Sequence, residues 1–498
     1  MPNFESDYSG TNVQVVGVDE ADIVKTDGEH IYIVSGNSVF IIRAYPAEDA
    51  QILSKIFINN TYPSEIFVSG DRLAVLGTKY QIPSRYYYGL YVIDVKTFIN
   101  IYDISNKTNP LFLGNFTITG SYFNSRMIDE YVYFVASQPA YVIYDTVILP
   151  KVYTQTGMKQ INASEIYYFN ASDDYYLYTT IAALNVQNAT EEPNRLTIMM
   201  GATSSMYVSL NNIYITSPKL NEQTSIYRIH IENRTINLEA KGTVPGHELN
   251  QFSMDEYNDY FRIATATWID NVPRSNVFIL DMNLSMIGNL TDIEPGETLD
   301  SARFIGNRCY LATSVVRQDP FFVIDVENTT NPKILGYLRI PGFTRYLHPY
   351  DENHIIGVGV DGNNSVKISF FDVTNVRTPI EIDMYSVQSH WSSTPVLSEH
   401  KAFLFAKFKD LLALPVSIKY CDSGTLWQGL YVFNITLSNG VVLRGNVTHQ
   451  GYGLYFWDSS YWVKRAIYIE NVLYTVSDRI VQLNSLEDLA FIKEIELN

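Results

Sequence analysis

His348, Asp351, Glu352 and His354 fall within seven residues of one another. Two imidazoles and two carboxylates form a donor set able to hold a divalent cation. A turn between strands interrupts the set, however, so the favoured reading is hydrogen bonding that locks the turn. Asp19, Glu20 and Asp22 make a second acidic group. They lack the spacing of a calcium loop and are expected to cap strand ends, with a structural divalent cation as the alternative. Gly357-Val-Gly359-Val-Asp-Gly362 matches the dinucleotide fingerprint G-x-G-x-x-G. That chemistry needs a helix N-terminus aimed at pyrophosphate, whereas the following NNSVKISFFDV reads as strand. No cofactor is expected.

Asp103, Asp281, Asp325 and Asp372 recur at one place, the end of an apolar strand, with Asn434 as an apparent fifth. An acid repeated at an equivalent position is expected to be scaffold, accepting hydrogen bonds from turn amides. These residues are therefore poor general acid–base candidates. The sequence contains no G-x-S-x-G, H-E-x-x-H, phosphate loop or Cys-x-x-Cys. The Trp residues do not recur as they do in quinoprotein propellers. No catalytic residue is assigned.

The elements that position these groups are strands. IYDISNKTNPLFLGNF (101–116), VIDVENTTNPKILGYL (323–338) and FFDVTNVRTPIEIDMY (370–385) each give an apolar strand, a polar turn and a second apolar strand. Such four-strand units, repeating every 40–60 residues or so, are the signature of β-propeller blades. Nine units can be counted, beginning 21–58, 62–119 and 122–200 and ending 466–497, with eight as the alternative if one is misread. Turns such as Asp27-Gly28 and Gly306-Asn307 fix the hairpin register. The expected fold is all-β: a single propeller of four-stranded antiparallel blades over 21–498, preceded by a segment, 1–20. In that segment NVQVVGV (12–18) could add a strand that latches the ring.

Composition excludes some functions. The chain has 498 residues, of which 46% are hydrophobic and 18% charged, with a net charge of −18. No basic stripe could neutralise nucleic-acid phosphates. Cys309 and Cys421 could pair only if their segments were adjacent. Thirteen Asn-x-Ser/Thr sequons occur, against roughly six expected by chance. Glycosylation candidates are Asn106, Asn162, Asn170, Asn188, Asn233, Asn283, Asn328 and Asn446; the others are Asn59, Asn115, Asn289, Asn363 and Asn434. The sequons point to an extracellular or cell-surface protein. MPNFESDYSG is not a signal peptide and no apolar run could span a membrane, so an exported chain would be a mature or trimmed form.

Four stretches, NVQVVGVDEADIVKTDGEHIYIVSG (12–36), RFIGNRCYLATSVVRQDPFFVIDVENTTNPKILGYLRIPGF (303–343), YLHPYDENHIIGVG (346–359) and EHKAFLFAKFKDLLALPV (399–416), resemble one family. It comprises secreted bacterial and archaeal proteins with a C-terminal β-propeller domain distantly related to WD repeats. The resemblance covers nearly the whole chain. It implies a propeller and an extracellular setting, and supplies no catalytic residues.

Departures from the repeat carry the functional information. Long insertions at 80–92, 137–175, 417–429 and 449–462 are B–C or D–A connections, expected to project from one face. They hold Tyr86, Tyr87, Tyr88, Tyr141, Tyr144, Tyr153, Tyr167, Tyr168, Trp427, Tyr452, Tyr455 and Trp457. Exposed Tyr and Trp anchor interfaces and stack on sugar rings; the alternative is that the rings bury one another. Several sequons lie near C–D turns, on the other face. The expectation is a binding or assembly module for an envelope protein or glycan, with an extracellular hydrolase whose carboxylates line the channel mouth as the rival.

Overall fold

Alternating side chains from strands that are apolar on both faces must be covered on both sides, and the sheets here are stacked accordingly. The computed structural model describes residues 7–497 except 60, 82–93, 144, 170–174, 316–317, 390, 420–425 and 450–458. Nine times in succession the chain forms four antiparallel strands, A to D. The blades span 24–57, 62–119, 121–200, 206–245, 254–293, 298–341, 343–386, 391–447 and 465–496. The chain therefore has nine blades, not eight. Among the described residues the only helical elements are 3-10 turns of three residues.

The chain divides into two compact units. One holds Val13–Asn221 and Ser225–Lys241; the other holds the N-terminal residues through Asn12, Glu222–Thr224 and the chain from Gly242 onward. Within the first unit, Leu73 and Val75 on strand B of blade two pack with Tyr32, Val39 and Ile41 of blade one. The intervening Ala74 and Leu76 pack with Val132 and Phe134 of blade three. The second unit repeats the arrangement: Cys309 and Leu311 face blade five, and Tyr310 between them faces blade seven. Each strand thus serves two cores.

A recurring glycine makes the blades fit. Gly242, Gly288, Gly336 and Gly445 lie on strands D of blades four, five, six and eight, each against the C–D turn of the following blade. A Cβ at Gly242 would sit 2.6 Å from the Leu284 carbonyl oxygen, and one at Gly445 would sit 2.9 Å from the Leu284-equivalent Leu489 side chain. At Gly288 it would overlap the Thr329 carbonyl. At Gly242, Gly288 and Gly336 close approach of backbone, not backbone conformation, excludes a side chain.

The N-terminal segment differs from expectation. No strand forms over 12–18. Val15–Val18 closes a turn, with Val18 N donating to Val15 O at 3.1 Å and Gly17 at φ 85°. The strand is Asp19–Glu20, which pairs with strand A of blade three (Asp19↔Met127, Glu20↔Arg126). In the other unit, Tyr8 bridges Ile469 on strand A of blade nine, and the Ser9 and Tyr468 amides and oxygens bond both ways at 2.9 Å.

The 137–175 insertion also departs from expectation. Instead of projecting wholly from one face, it supplies rim strands. Lys151–Thr154 pairs with strand D of blade two (Val152↔Ile118, Tyr153↔Thr117) and carries a hairpin partner, Gly157–Gln160. Ile166–Tyr168 pairs in parallel with strand D of blade three (Ile166↔Thr197). The unpaired backbone groups of an outer strand attract such additions.

Candidate functional site

The repeated acids are turn caps. Asp103 Oδ1 accepts from Ser105 N at 2.9 Å and Ser105 Oγ at 2.6 Å. Asp281 accepts from Asn283 N and Ser285 N at 2.9 and 2.8 Å. Asp325 accepts from Glu327 N at 3.1 Å and Asp372 from Thr374 N at 2.7 Å. Three face a basic residue across the sheet: Arg72–Asp103 at 3.1 Å, Arg308–Asp325 at 3.3 Å and His354–Asp372 at 3.9 Å. Hydrogen bonds from Ser105 and Thr374 hold the Asp103 and Asp372 carboxyls below the usual range. Asn185 caps blade three in the same way, accepting from Gln187 N at 2.9 Å, an equivalence obscured by the Asp-to-Asn exchange. Asn434 occupies the matching register opposite Leu411, but strand C runs two residues further to Thr436, whose hydroxyl caps Asn439 N at 3.1 Å.

The clustered histidines and acids separate. His348 Nδ1 lies 3.0 Å from the Tyr346 hydroxyl, with the Phe403 and Phe405 rings at 4.8 and 5.1 Å. Desolvation, reinforced by the charges of Arg303 and His400, pushes its pKa down to about 3. His354 turns instead to Asp351, 2.7 Å away, and Lys407 pairs with that carboxylate at 2.9 Å. Glu352, next to Asp351, lies in the turn between the two strands. Asp19 pairs with Lys25 at 2.6 Å, Glu20 with Arg126 at 3.4 Å, and Asp22 accepts from Ile23 N at 2.8 Å. Among the described residues no three His, Cys, Asp or Glu side chains converge as metal ligands. Gly357 and Gly359 lie within strand His354–Val360, where a Cβ would press on Phe371 or the Phe343 backbone. Cys309 is buried and unpaired; Cys421 lies outside the described residues.

One charged group went unnoticed in the sequence. At the start of strand A in blade six, Glu297 accepts from Thr313 Oγ1 at 2.6 Å. Asp300 is the extra residue of a bulge between Leu299 and Ser301. Strand A of blade seven carries a matching bulge at Arg345, and the two strands meet where Ser301 Oγ donates to Thr344 O at 2.9 Å. Burial raises both carboxyls; Thr313 and Ser314 hydrogen bonds and the charges of Arg339 and Arg345 oppose it. Two carboxyls with raised pKa beside cations could trade a proton with a bound group. Only a blade-to-blade match of bulges could have revealed the pair.

The aromatic residues divide as well. Trp427 packs edge-on against Tyr431 at 5.4 Å and joins the core between blades seven and eight. Tyr153 is half-buried beneath the Lys96 ammonium at 4.5 Å. Tyr86, Tyr87, Tyr88, Tyr455 and Trp457, with Tyr144 and Tyr452, lie outside the described residues. On the blade-three insertion Tyr141, Tyr167, Tyr168 and Tyr175 remain in solvent, the last two at 67% and 72% exposure; rings such as Tyr62, Trp268 and Tyr337 are exposed on other blades. Asn106, Asn162, Asn188, Asn233, Asn283, Asn328 and Asn446 are all exposed; Asn170 lies outside the described residues.

Nine four-stranded blades whose repeated acids brace their own turns define a β-propeller. The chain belongs to the β-propeller domain family, whose model matches residues 8–489. It is 27% identical to an uncharacterized protein of Methanocaldococcus jannaschii, over 98% of this chain and 83% of that one. It is 28% identical to another of Archaeoglobus fulgidus, over 98% and 84%. The solved structure of a Lactobacillus plantarum protein superposes with a TM-score of 0.37 at 12% identity, covering 66% of this chain and 94% of its own. Among the described residues no helix is long and apolar enough to cross a membrane.

Proposed function

We propose that this propeller is a non-catalytic binding or assembly module of the cell exterior whose partner is an envelope protein or glycan. The observation that carries the reading is the exposed tyrosine group on the blade-three insertion, with Tyr167 and Tyr168 on a strand added to the blade's outer edge. Large amphipathic rings held by a sheet present contact area at little entropic cost. Acidity and solvent-facing sequon asparagines suit an exterior location. The test is retention of the purified chain on envelope preparations from its host. The triple variant Tyr167→Ala, Tyr168→Ala, Tyr175→Ala is expected to lose retention at least tenfold with an unchanged melting temperature. Equal retention of variant and parent sinks the reading.

Glu297 and Asp300 favour a second reading, a hydrolase acting on exterior substrates, with burial raising both carboxyls and Arg345 opposing the shift at Asp300. It requires turnover of a glycoside or ester substrate that Asp300→Asn abolishes.

A further inference from the structure

Four C–D turns in this chain are built alike, and three of them contain a residue that the turn does not need. In blades two, three, six and seven the turn closes through the carbonyl of an exposed asparagine. Asn109 N donates to Asn106 O at 3.1 Å, Glu191 N to Asn188 O at 3.1 Å, Asn331 N to Asn328 O at 3.0 Å, and Thr378 N to Asn375 O at 3.0 Å. In all four, the asparagine Oδ1 also accepts from the amide two residues on: Thr108 at 3.1 Å, Thr190 at 3.3 Å, Thr330 at 3.3 Å and Arg377 at 3.2 Å. Blade seven makes the turn with Arg377, so a hydroxyl at that place is dispensable for folding.

Blades two, three and six nevertheless carry threonine there. Its Oγ1 donates to the same Oδ1, at 2.7 Å from Thr108, 2.8 Å from Thr190 and 3.0 Å from Thr330. Two donors on Oδ1 draw electron density from the carboxamide, which makes Nδ2–H more acidic and Nδ2 easier to deprotonate. Among the described residues nothing else bonds these three Nδ2 atoms, and all three asparagines are exposed. Among the described residues the other sequons lack the arrangement. Asn115, Asn289, Asn434 and Asn446 are held inside ladders opposite Asn100, Phe278, Leu411 and Tyr431. Asn233 has left-handed backbone, φ 51°.

The geometry points to Asn106, Asn188 and Asn328 as N-glycosylation sites, an equivalent set at the C–D turns of blades two, three and six. The donor class is an oligosaccharide linked through its anomeric carbon to a lipid phosphate. Nδ2 bonds to that carbon, the anomeric C–O bond breaks, the lipid phosphate leaves with the electron pair, and the Nδ2 proton passes to a base of the transferase. The inference shares only the exterior location with the function proposed above. The two fail separately, because sugar is read by mass and retention by the tyrosine variants.

The test is glycopeptide mass spectrometry on the full chain purified from its own host. Peptides holding Asn106, Asn188 and Asn328 are expected to carry a common saccharide mass, and Thr108→Ala, Thr190→Ala or Thr330→Ala to remove it from its own site only. The gain-of-function variant is Arg377→Thr, which completes a sequon at Asn375 on an identical turn and is expected to add sugar there. Unmodified mass at all three asparagines, or saccharide that survives the threonine substitutions, overturns the inference.

Discussion

Gly336 on strand D of blade six lies against Arg377 in the C–D turn of blade seven, so close that an added Cβ would sit 2.6 Å from the Arg377 carbonyl oxygen. The neighbouring Val376 carbonyl is nearer still. Backbone cannot yield as a flexible side chain would, so the blades would have to separate. Gly336→Ala is expected to cost about 1–3 kcal/mol from overpacking, less the few tenths regained by stiffening the unfolded chain. Gly362→Ala, with nothing within 4 Å of the new methyl, is the control and should be near neutral. Urea denaturation of both variants decides the matter; equal midpoints contradict the account.

The turn caps separate acceptor from charge. Asp325→Ala removes both the bond to Glu327 N and the partner of Arg308, and should cost on the order of 1 kcal/mol. Asp325→Asn keeps an acceptor oxygen and should cost less than half as much, since a partly exposed ion pair contributes little. Thermal melts of the two proteins rank them, and a reversed order refutes the cap.

Acid sensitivity should begin well above the carboxylate range. His348 and His449 are neutral in the fold, with burial pushing their pKa values down to about 3 and about 4. Unfolded imidazoles titrate near ~6.5. Below that pH the unfolded state therefore binds protons that the folded state refuses, so stability falls as pH drops. Between pH 6.5 and 5 each histidine should remove about 1.5 kcal/mol. His348→Phe, which fits among Phe403 and Phe405, should shrink the loss by about that amount. Urea midpoints at the two pH values measure it, and an unchanged difference tells against the linkage.

Trp427 and Tyr168 should behave oppositely although both were sequence candidates for contact. Trp427→Ala opens space beside Tyr431 and should destabilise by roughly 2–4 kcal/mol. Tyr168→Ala should leave the melting temperature within about a degree, because surface substitutions rarely exceed ~0.5 kcal/mol. Calorimetry on the pair tests the division between packed and presented rings.

Residues 7–12 should stabilise the unit they join. Deleting residues 1–12 removes the Ser9–Tyr468 bonds and the two Asn12 Nδ2 bonds, to Tyr346 Oη and His400 O, both 2.9 Å. It also bares the edge of Arg465–Ile469. A melting temperature lower by several degrees is expected, and an unaltered melt would show the segment to be passive.

Much of this protein was written locally. Strand, turn and strand recur in IYDISNKTNP and VIDVENTTNP because period-two apolar residues and a capping acid act over a few positions. The nine blades and the scaffold role of Asp103, Asp325 and Asp372 were therefore legible along the chain. Tertiary structure alone decided the rest, because each outcome depends on a partner far away in sequence. The glycine of KILG looked like an ordinary strand residue until the next blade's turn was set against it. The 137–175 insertion read as a loop until strand edges on blades two and three captured it. His348 and His354, six residues apart, were drawn to different neighbours, Phe403 and Asp351, which dispersed a constellation that spacing alone had assembled.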